Sequence, residues 1–303
     1  MRILQSLSAL VVLAVTATTV VGCSSERDGK SASGSRGLMG VLDSAPAAVS
    51  GTTVSYLNVR TARALVKKDE KLYANFNGYG IPEYASVGYT SKSLRTLMGF
   101  DERDVQTSLV VGDLSNRLTG DFDKDAISKA LAKRDYRAEK SGRGPRLSNG
   151  KDRQYEVTGD VLVGESKKEG LSPLAPEGKT LADDSLYKAV AKCLGSDVYE
   201  ANFFGKERPR AISRLFAVGG RIGDDGAPSE TLCALATNDE KAQEIAKRLR
   251  TETTKGKRYA GTEVSVTEGD MPMVTMTWKN TSASGMHPAD ELRFAILLMH
   301  LVK

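Results

Sequence analysis

Three aspartates at alternate positions form the clearest carboxylate motif in the sequence. Asp121, Asp123 and Asp125 have the spacing that begins an EF-hand calcium loop, which also needs glycine at position six and glutamate at position twelve. Those two positions hold Ala126 and Ala132. The same aspartates stand directly before an apolar pattern of helical period, where a carboxylate can accept hydrogen bonds from the first free amides. The sequence therefore predicts a helix cap and no metal site.

Histidine chemistry has few candidates in this chain. The sequence has two histidines, His287 and His300, whereas a Ser-His-Asp centre or a zinc site needs a histidine beside its other members. His287 precedes Pro288 in a predicted loop. His300 falls in an apolar segment, where a buried, hydrogen-bonded histidine is the common case. We therefore expect no catalytic residue and no cofactor.

Cys23 ends an N-terminal apolar segment. Arg2 gives a positive start, and the apolar run from Ile3 to Val20 has the build of a secretory signal peptide. The four residues Val20, Val21, Gly22 and Cys23 resemble the bacterial lipobox, whose cysteine receives a diacylglycerol and becomes the first residue of the mature protein. The resemblance implies acylation of Cys23, as with palmitate, and two acyl chains anchor a protein stably. An ordinary cysteine near a cleavage site is the alternative.

This N-terminus predicts where the protein resides. Residues 1–22 would be removed as a lipoprotein signal peptide, which leaves 281 residues with a formal charge of +4. Residues 23–36 are small and polar, which predicts a flexible stalk with a mean end-to-end distance on the order of 20 Å. We expect the protein on the outer face of the cell membrane, attached to membrane lipid through Cys23. Nucleic acid is not an expected partner there.

Two further cysteines, Cys193 and Cys233, lie 40 residues apart. The first falls on the buried face of a predicted helix and the second on a predicted central strand. An even number of cysteines in an exported chain favours a disulfide, which would stabilise the fold by about 3 to 4 kcal/mol. Two buried free thiols are the alternative.

Five aromatic residues lie close together between residues 72 and 89, among turn-forming glycines and a proline. Tyrosine combines a stacking face with a polar tip, so this segment could contact a ligand. The alternative is that the rings fasten a loop to the core. The candidate ligand contacts are Tyr73, Phe76, Tyr79, Tyr84 and Tyr89.

Two segments carry an excess of positive charge. Residues 129–153 contain nine basic and three acidic side chains, and residues 241–258 contain seven and two. Solvated helix faces explain such runs in most proteins. The alternative partner is an anionic lipid or an envelope polymer, because each basic group near an anionic leaflet contributes about 1 kcal/mol.

Strand and helix patterns are interspersed along the chain without regular βαβ alternation. They favour an α+β fold with mixed or antiparallel sheets and helices on one face. Residues 164–179 contain glycine, proline and charges and divide the chain into two similar-sized parts, 37–165 and 180–303. One continuous domain is the alternative. Among the predicted elements are a strand over 155–163 with an interruption at Gly159, a capped helix after Asn238, a hairpin over 263–278 and a closing helix from Pro288.

Several short runs resemble an actinobacterial family of exported lipoproteins. The resemblance implies an exported, lipid-anchored protein, and it brings no catalytic residues. It covers most of the mature chain and is carried by residues 86–89, Leu94, residues 98–105, residues 118–123, Leu186 and Tyr187, Cys193 to Gly195, and Val198 and Tyr199.

These observations together predict a non-enzymatic, membrane-anchored lipoprotein that acts by binding. A solute-binding protein of a transport system is one alternative, and it would need two lobes around a cleft. A hydrolase that uses carboxylates alone is another, and it would need converging buried acids.

Overall fold

The structure is a computed structural model. It describes residues 37–86, 91–112, 115–139, 146–150, 153–166, 178–205, 212–223, 225–254, 259, 262–281 and 287–288. Cys23, the predicted signal peptide and stalk, Tyr89 and the closing segment from residue 289 lie outside these ranges. Within them, no helix is both long and apolar enough to cross a membrane.

The strands of the described ranges form one twelve-stranded sheet, in the order β11-β12-β10-β9-β8-β1-β2-β3-β7-β6-β5-β4. Every neighbouring pair is antiparallel. The strands are β1 Thr53–Leu57, β2 Val105–Val111, β3 Ser115–Gly120, β4 Arg137–Glu139, β5 Arg146–Ser148, β6 Arg153–Val157, β7 Val161–Ser166, β8 Glu200–Phe204, β9 Ser213–Ile222, β10 Pro228–Ala236, β11 Glu263–Thr267 and β12 Met273–Lys279.

The described ranges also contain eight α-helices, which confirms the predicted α+β class. They are α1 Leu38–Leu42, α2 Val59–Lys68, α3 Glu70–Tyr73, α4 Glu83–Ser86, α5 Ser91–Met98, α6 Lys124–Ala132, α7 Ser185–Leu194 and α8 Asp239–Thr253.

Helices cover both faces of the sheet, not the one face that the sequence patterns favoured. On β10, Leu232 packs with α8. Cys233 and Leu235, which are one and three residues further along the strand, pack with α7. Successive side chains of a strand point to opposite faces, so α7 and α8 lie on opposite sides. Every residue of β10 is buried, which is why this strand shows no alternation that would mark a solvent face.

Three apolar clusters hold these layers together. We call the side of the sheet that carries Leu57, Leu118 and Leu232 the first face. Helices α2 to α6 pack there around Leu57 and Leu118, and α8 packs there around Leu232. On the second face, α1 and α7 pack against Val54 and Leu235. The first face therefore carries two separate apolar clusters, one that includes Leu57 of β1 and Leu118 of β3 and one that includes Val218 of β9 and Leu232 of β10.

β1 joins the strands of the two predicted parts. It pairs with β2 through Tyr56 and Leu109 and with β8 through Tyr56 and Ala201. Strands from residues 37–165 and from residues 180–303 therefore belong to the same sheet.

Helix caps form where the sequence predicted them. The Asp123 carboxylate accepts hydrogen bonds from the amides of Asp125 and Ala126 at 3.0 and 2.9 Å. Asn238 caps α8 by accepting from the amide of Lys241 at 2.8 Å. These bonds satisfy amides that have no partner inside the first helical turn.

The predicted strand over 155–163 is two strands, β6 and β7, joined by a turn. The Thr158 hydroxyl donates to Asp160 Oδ1 at 2.8 Å and accepts from the amide of Val161 at 3.0 Å. Side chains of threonine and aspartate compete with sheet hydrogen bonds in this way, so the chain reverses at Gly159.

A disulfide joins Cys193 of α7 to Cys233 of β10. This confirms the predicted pairing. The bridge lies on the second face, where it attaches the helix covering that face to a fully buried strand.

Candidate functional site

A row of directly opposed residues crosses the first face of the sheet. Leu57 of β1 is paired with Glu200 of β8, Glu200 with Gly220 of β9, Gly220 with Glu230 of β10, and Glu230 with Trp278 of β12. Opposed residues of antiparallel strands project to the same face. Both glutamates have 0% exposure. Two buried carboxylates therefore flank a position without a side chain.

Gly220 makes room for the side chain of Tyr199. A Cβ atom at residue 220 would lie 3.0 Å from both Cζ and the hydroxyl oxygen of Tyr199, and 3.1 Å from Cγ of Glu200. The Tyr199 amide donates to the Gly220 carbonyl at 2.9 Å. Glycine here places a phenol between the two glutamates.

Two of the candidate aromatic contacts reach this row. The Phe76 ring meets the Tyr199 ring edge to face, with centroids 5.6 Å apart. The Tyr79 hydroxyl donates to Oδ1 of Asn202 at 3.3 Å. Asn202 is two residues beyond Glu200 on β8, so it projects to the same face. The aromatic segment thus borders the β8 end of the row, beside Glu200.

The remaining aromatic contacts lie further away. Tyr73 and Tyr84 are buried in the apolar cluster of the same face. Burial, with a smaller effect of Asp69, raises the pKa of Tyr73 to about 12. The Tyr84 hydroxyl donates to Glu102 at 3.3 Å. Tyr89 is outside the described residues.

Several buried polar atoms around the row lack a partner. The indole nitrogen of Trp278, the amide nitrogen of Asn202 and both amide atoms of Asn280 have no hydrogen-bond partner among the described residues. These three side chains are 2%, 4% and 1% exposed. The backbone N–H of Asn280 donates to the carbonyl of Pro228. Asn280 therefore continues the register of β12 and projects to the same face as Trp278. Each buried group left unpaired costs about 1 to 3 kcal/mol.

We call this group of residues the β8–β12 site; it extends across four neighbouring strands, with Asn202 and Asn280 at its opposite ends. Further interactions of the chain involve Tyr199, Glu200 and Glu230. The side-chain atoms of the site that have no hydrogen-bond partner therefore belong to Trp278, Asn202 and Asn280. The members of the site are Tyr199, Glu200, Asn202, Gly220, Glu230, Trp278 and Asn280.

A second buried polar cluster attaches α4 to the sheet. Arg153 Nη2 lies 3.4 Å from a carboxylate oxygen of Glu83 and donates to Asn116 Oδ1 at 2.7 Å, and Asn116 donates to Glu83 at 3.3 Å. Burial raises the pKa of the Glu83 carboxyl, and Arg153 and Asn116 partly offset that rise. A Cβ at Gly164 would lie 2.5 Å from Asn116 Oδ1. Glu83, Asn116 and Nη2 of Arg153 pair with one another, whereas the buried Nε of Arg153 has no hydrogen-bond partner among the described residues. The mutual pairing indicates a structural role.

Sequence reasoning missed Glu200 and Glu230. Glu200 lies inside a strand predicted over 198–204, and Glu230 directly precedes a strand predicted over 231–237, but the patterns single out neither as a site residue. The available signal was an acidic residue within an apolar strand, since all nine residues of β10 and the first four of β8 are buried. A charge in such a strand needs a partner or a function.

No protein-family model and no curated protein matches the chain. The chain is similar to a solved structure described as "Structure of crystal form I of TP0453", with a TM-score of 0.40 and 9% identity, covering 88% of this chain and 98% of that chain. A similarity at that TM-score carries no argument about function.

Proposed function

We propose that this protein is a lipid-anchored, extracytoplasmic binding protein without a catalytic role, and that its ligand occupies the β8–β12 site. One observation carries the proposal: Trp278 and Asn280, two residues apart on the same face of the sheet, keep unpaired polar atoms in a buried setting. Buried polar groups of folded proteins are nearly always paired, and exceptions need an explanation. A bound molecule that pairs these atoms supplies one.

The predicted location is supported by the disulfide between Cys193 and Cys233. Disulfides persist in oxidising compartments and are rare in reducing ones. Together with the lipobox at Cys23, the bridge supports export followed by membrane attachment. The acyl chains would hold the domain within reach of its membrane, and ligand binding would be the task of the folded body.

Native mass spectrometry of the intact protein, extracted in mild detergent from its own membrane, tests binding. The expected spectrum shows the acylated chain beginning at Cys23 and a further mass that is lost on unfolding. A Trp278→Phe variant should lose that mass, whereas Gln243→Ala on the exposed part of α8 should retain it. The acylated chain without any further mass would contradict the proposal.

Membrane attachment has its own test. Cys23→Ser removes the acceptor of the diacylglycerol, so the protein should appear in the medium or remain an unprocessed precursor. Fractionation and intact mass report the outcome. A Cys23→Ser protein that is still processed and membrane-retained would show that the lipobox interpretation is wrong.

A second candidate function is hydrolysis by carboxylates. The observation that favours it is that Glu200 and Glu230 project to the same face with one strand between them. Their backbones are two strand spacings apart, about 10 Å, and paired carboxyl groups of inverting glycosidases are about 6.5–9.5 Å apart. Turnover of a glycoside that is abolished by both Glu200→Gln and Glu230→Gln would establish this function in place of binding.

A further inference from the structure

We infer that helix α2 is a membrane-contact surface, with its exposed basic residues against the anionic headgroups of the lipid bilayer that holds the acyl anchor. The inference rests on the proposed lipid attachment and adds an interaction surface to it. It follows from the charge of α2, from the ion pairs of the described residues and from the place where the described chain begins. We call Arg60, Lys67 and Lys68 the α2 basic stripe.

Helix α2 carries four basic residues and no acidic one, namely Arg60, Arg63, Lys67 and Lys68. Arg60 and Lys67 are seven residues apart, which is about two helical turns, so they lie on one side of the helix. Lys68 is beside Lys67, and all three residues of the stripe are exposed. Arg63 is half-buried, and its guanidinium group donates to the carbonyl of Glu102. The stripe is therefore available to a partner in a way that Arg63 is not.

Helix stability does not explain the position of Arg60. The first turn of a helix carries a partial positive charge, so a cation there is disfavoured. α2 has no acidic residue in that turn to offset Arg60, whereas α8 begins with Asp239 and Glu240. Lys67 and Lys68 stand in the last turn, where cations are favoured. Positive charge at both ends of one helix suits an anionic partner outside the protein.

Within the described ranges, no ion pair neutralises the α2 basic stripe. The basic segment over 241–258 differs in this respect, because Lys241 and Arg248 both pair with Glu244 of the same helix. The acidic residues next to the stripe in sequence do not balance it, since residues 59–71 contain five basic and two acidic side chains. The stripe thus keeps an excess of positive charge.

The described chain begins close to the start of α2. A Cβ atom at Gly37 would lie 3.5 Å from the carbonyl oxygen of Ser196. Three residues further on, the carbonyl of Tyr199 accepts from the amide of Asn58, the N-cap of α2, at 2.7 Å. Three residues span at most about 11 Å, so the start of α2 lies within about 20 Å of Gly37. A stalk over 23–36, with a mean span on the order of 20 Å, keeps α2 within reach of the bilayer.

Three basic groups are enough for a tethered protein. Each basic group near an anionic leaflet strengthens attachment about fivefold, so the stripe favours the docked orientation about a hundredfold. That attraction would hold a free protein only weakly, but the acyl anchor keeps the domain at a high local concentration beside the bilayer. The attraction falls off within a Debye length, about 8 Å at physiological salt, so the contact must be close.

Acylated protein reconstituted into lipid vesicles tests the contact. Cys193 and Cys233 are joined in a disulfide, and Cys23 would carry the lipid, so a cysteine introduced as Ala64→Cys can be labelled alone with a fluorophore. Ala64 is exposed on the same side of α2 as the stripe. The vesicles consist of phosphatidylcholine, or of an equal mixture of phosphatidylcholine and phosphatidylglycerol, and both carry a quencher on a headgroup.

We expect the label of Ala64→Cys to be quenched more strongly in the anionic vesicles than in the neutral ones. This excess quenching should disappear at about 1 M salt, where the Debye length is about 3 Å. The control label is Ser185→Cys, at the exposed start of α7, which covers the second face of the sheet. It should be quenched equally in both kinds of vesicle.

Variants separate the stripe from the net charge of the protein. Replacing all three residues of the α2 basic stripe by glutamine should abolish the excess quenching. Lys67→Gln alone should lower the ratio of docked to undocked protein about fivefold, and it serves if the triple variant does not fold. The matched control replaces three exposed lysines of α7 and α8 and should keep the excess quenching: Lys188→Gln, Lys192→Gln and Lys247→Gln.

The outcomes distinguish this inference from the attachment on which it rests. Equal quenching of the Ala64→Cys label in both kinds of vesicle, or excess quenching that survives loss of the stripe, would overturn the membrane contact and leave the attachment intact. Equal loss of the excess in the matched control would assign the effect to net charge and would also overturn it. A protein that associates with neither kind of vesicle would contradict the lipid attachment itself.

Discussion

The guanidinium group of Arg153 lies 3.4 Å from the carboxylate of Glu83, and the two side chains are 14% and 0% exposed. Neither charge would be stable at this depth alone. Each is held because the other is present and because Asn116 bonds to both. The pair connects the short helix α4 to strand β6, on the face that carries the β8–β12 site.

Replacing Arg153 by methionine should destabilise the protein by about 3–5 kcal/mol at pH 8, since it leaves a buried carboxylate without its counter-charge. The loss should shrink as the pH falls, because burial raises the pKa of Glu83 and protonation removes the charge. Urea unfolding at several pH values measures both effects. The double variant Glu83→Gln, Arg153→Met is the control and should recover much of the loss. A single variant within 1 kcal/mol of the parent would contradict the prediction.

Asp101 should contribute stability that disappears in acid. Burial alone would raise the pKa of its carboxyl, but hydrogen bonds from Arg103 and Arg95 outweigh burial and lower the pKa from 3.8 to about 2. A lowered folded-state pKa stabilises the protein above the unfolded value and loses that contribution as the pH falls towards 2. Both arginines are mostly exposed, so we expect Asp101→Asn to cost only about 1–2 kcal/mol at pH 7.

The measurement for Asp101 is the difference in unfolding free energy between parent and variant from pH 7 to pH 2. The difference should be constant above about pH 5 and close towards zero at the acid end. A difference that stays constant through pH 2 would assign the effect to packing and not to charge.

Gly220→Ala should destabilise the protein by about 1–3 kcal/mol, because the added methyl group would press on the Tyr199 ring and on Cγ of Glu200 in a buried site. Gly159→Ala is the matched control: nothing lies within 4 Å of its Cβ position, so a change within about 0.5 kcal/mol is expected. Equal effects of the two substitutions, measured by urea unfolding, would mean that Gly220 is not a close-packed position.

Reducing the Cys193–Cys233 disulfide should lower the unfolding free energy by about 3–4 kcal/mol, because the 40-residue separation of the bridge constrains the unfolded chain. Urea curves of the parent with and without dithiothreitol measure the loss. The variant Cys193→Ala, Cys233→Ala should unfold like the reduced parent and show no response to the reductant. Coincident curves for oxidised and reduced parent would contradict the expectation.

Local patterns predicted much of the secondary structure. α7 and α8 follow from apolar residues at helical spacing after Asp184 and Asn238, whose side chains cap the helices. The β11–β12 hairpin follows from two β-rich runs around a turn with Gly269. These elements depend on residues close in sequence, which periodicity and turn chemistry report directly.

The β8–β12 site could not be predicted in the same way. Its residues meet because Gly220 is paired with Glu200 on one side and with Glu230 on the other, and register between distant strands leaves no short-range trace in the sequence. The contact between the aromatic segment and the site could not be predicted from the sequence either. Its spacing gave no reason to place Phe76 beside Tyr199, about 120 residues later in the chain.

Strand β1 has a further consequence for how the chain folds. Its partner β2 follows within about 60 residues, but Thr53 pairs with Phe204 of β8, about 150 residues later. Contacts across such separations form slowly, since the intervening chain must first be brought together. Until residues 200–204 arrive, the exposed edge of β1 can pair with any extended segment nearby. The interval between the appearance of β1 and that of β8 is therefore a window in which the newly made chain is vulnerable to aggregation.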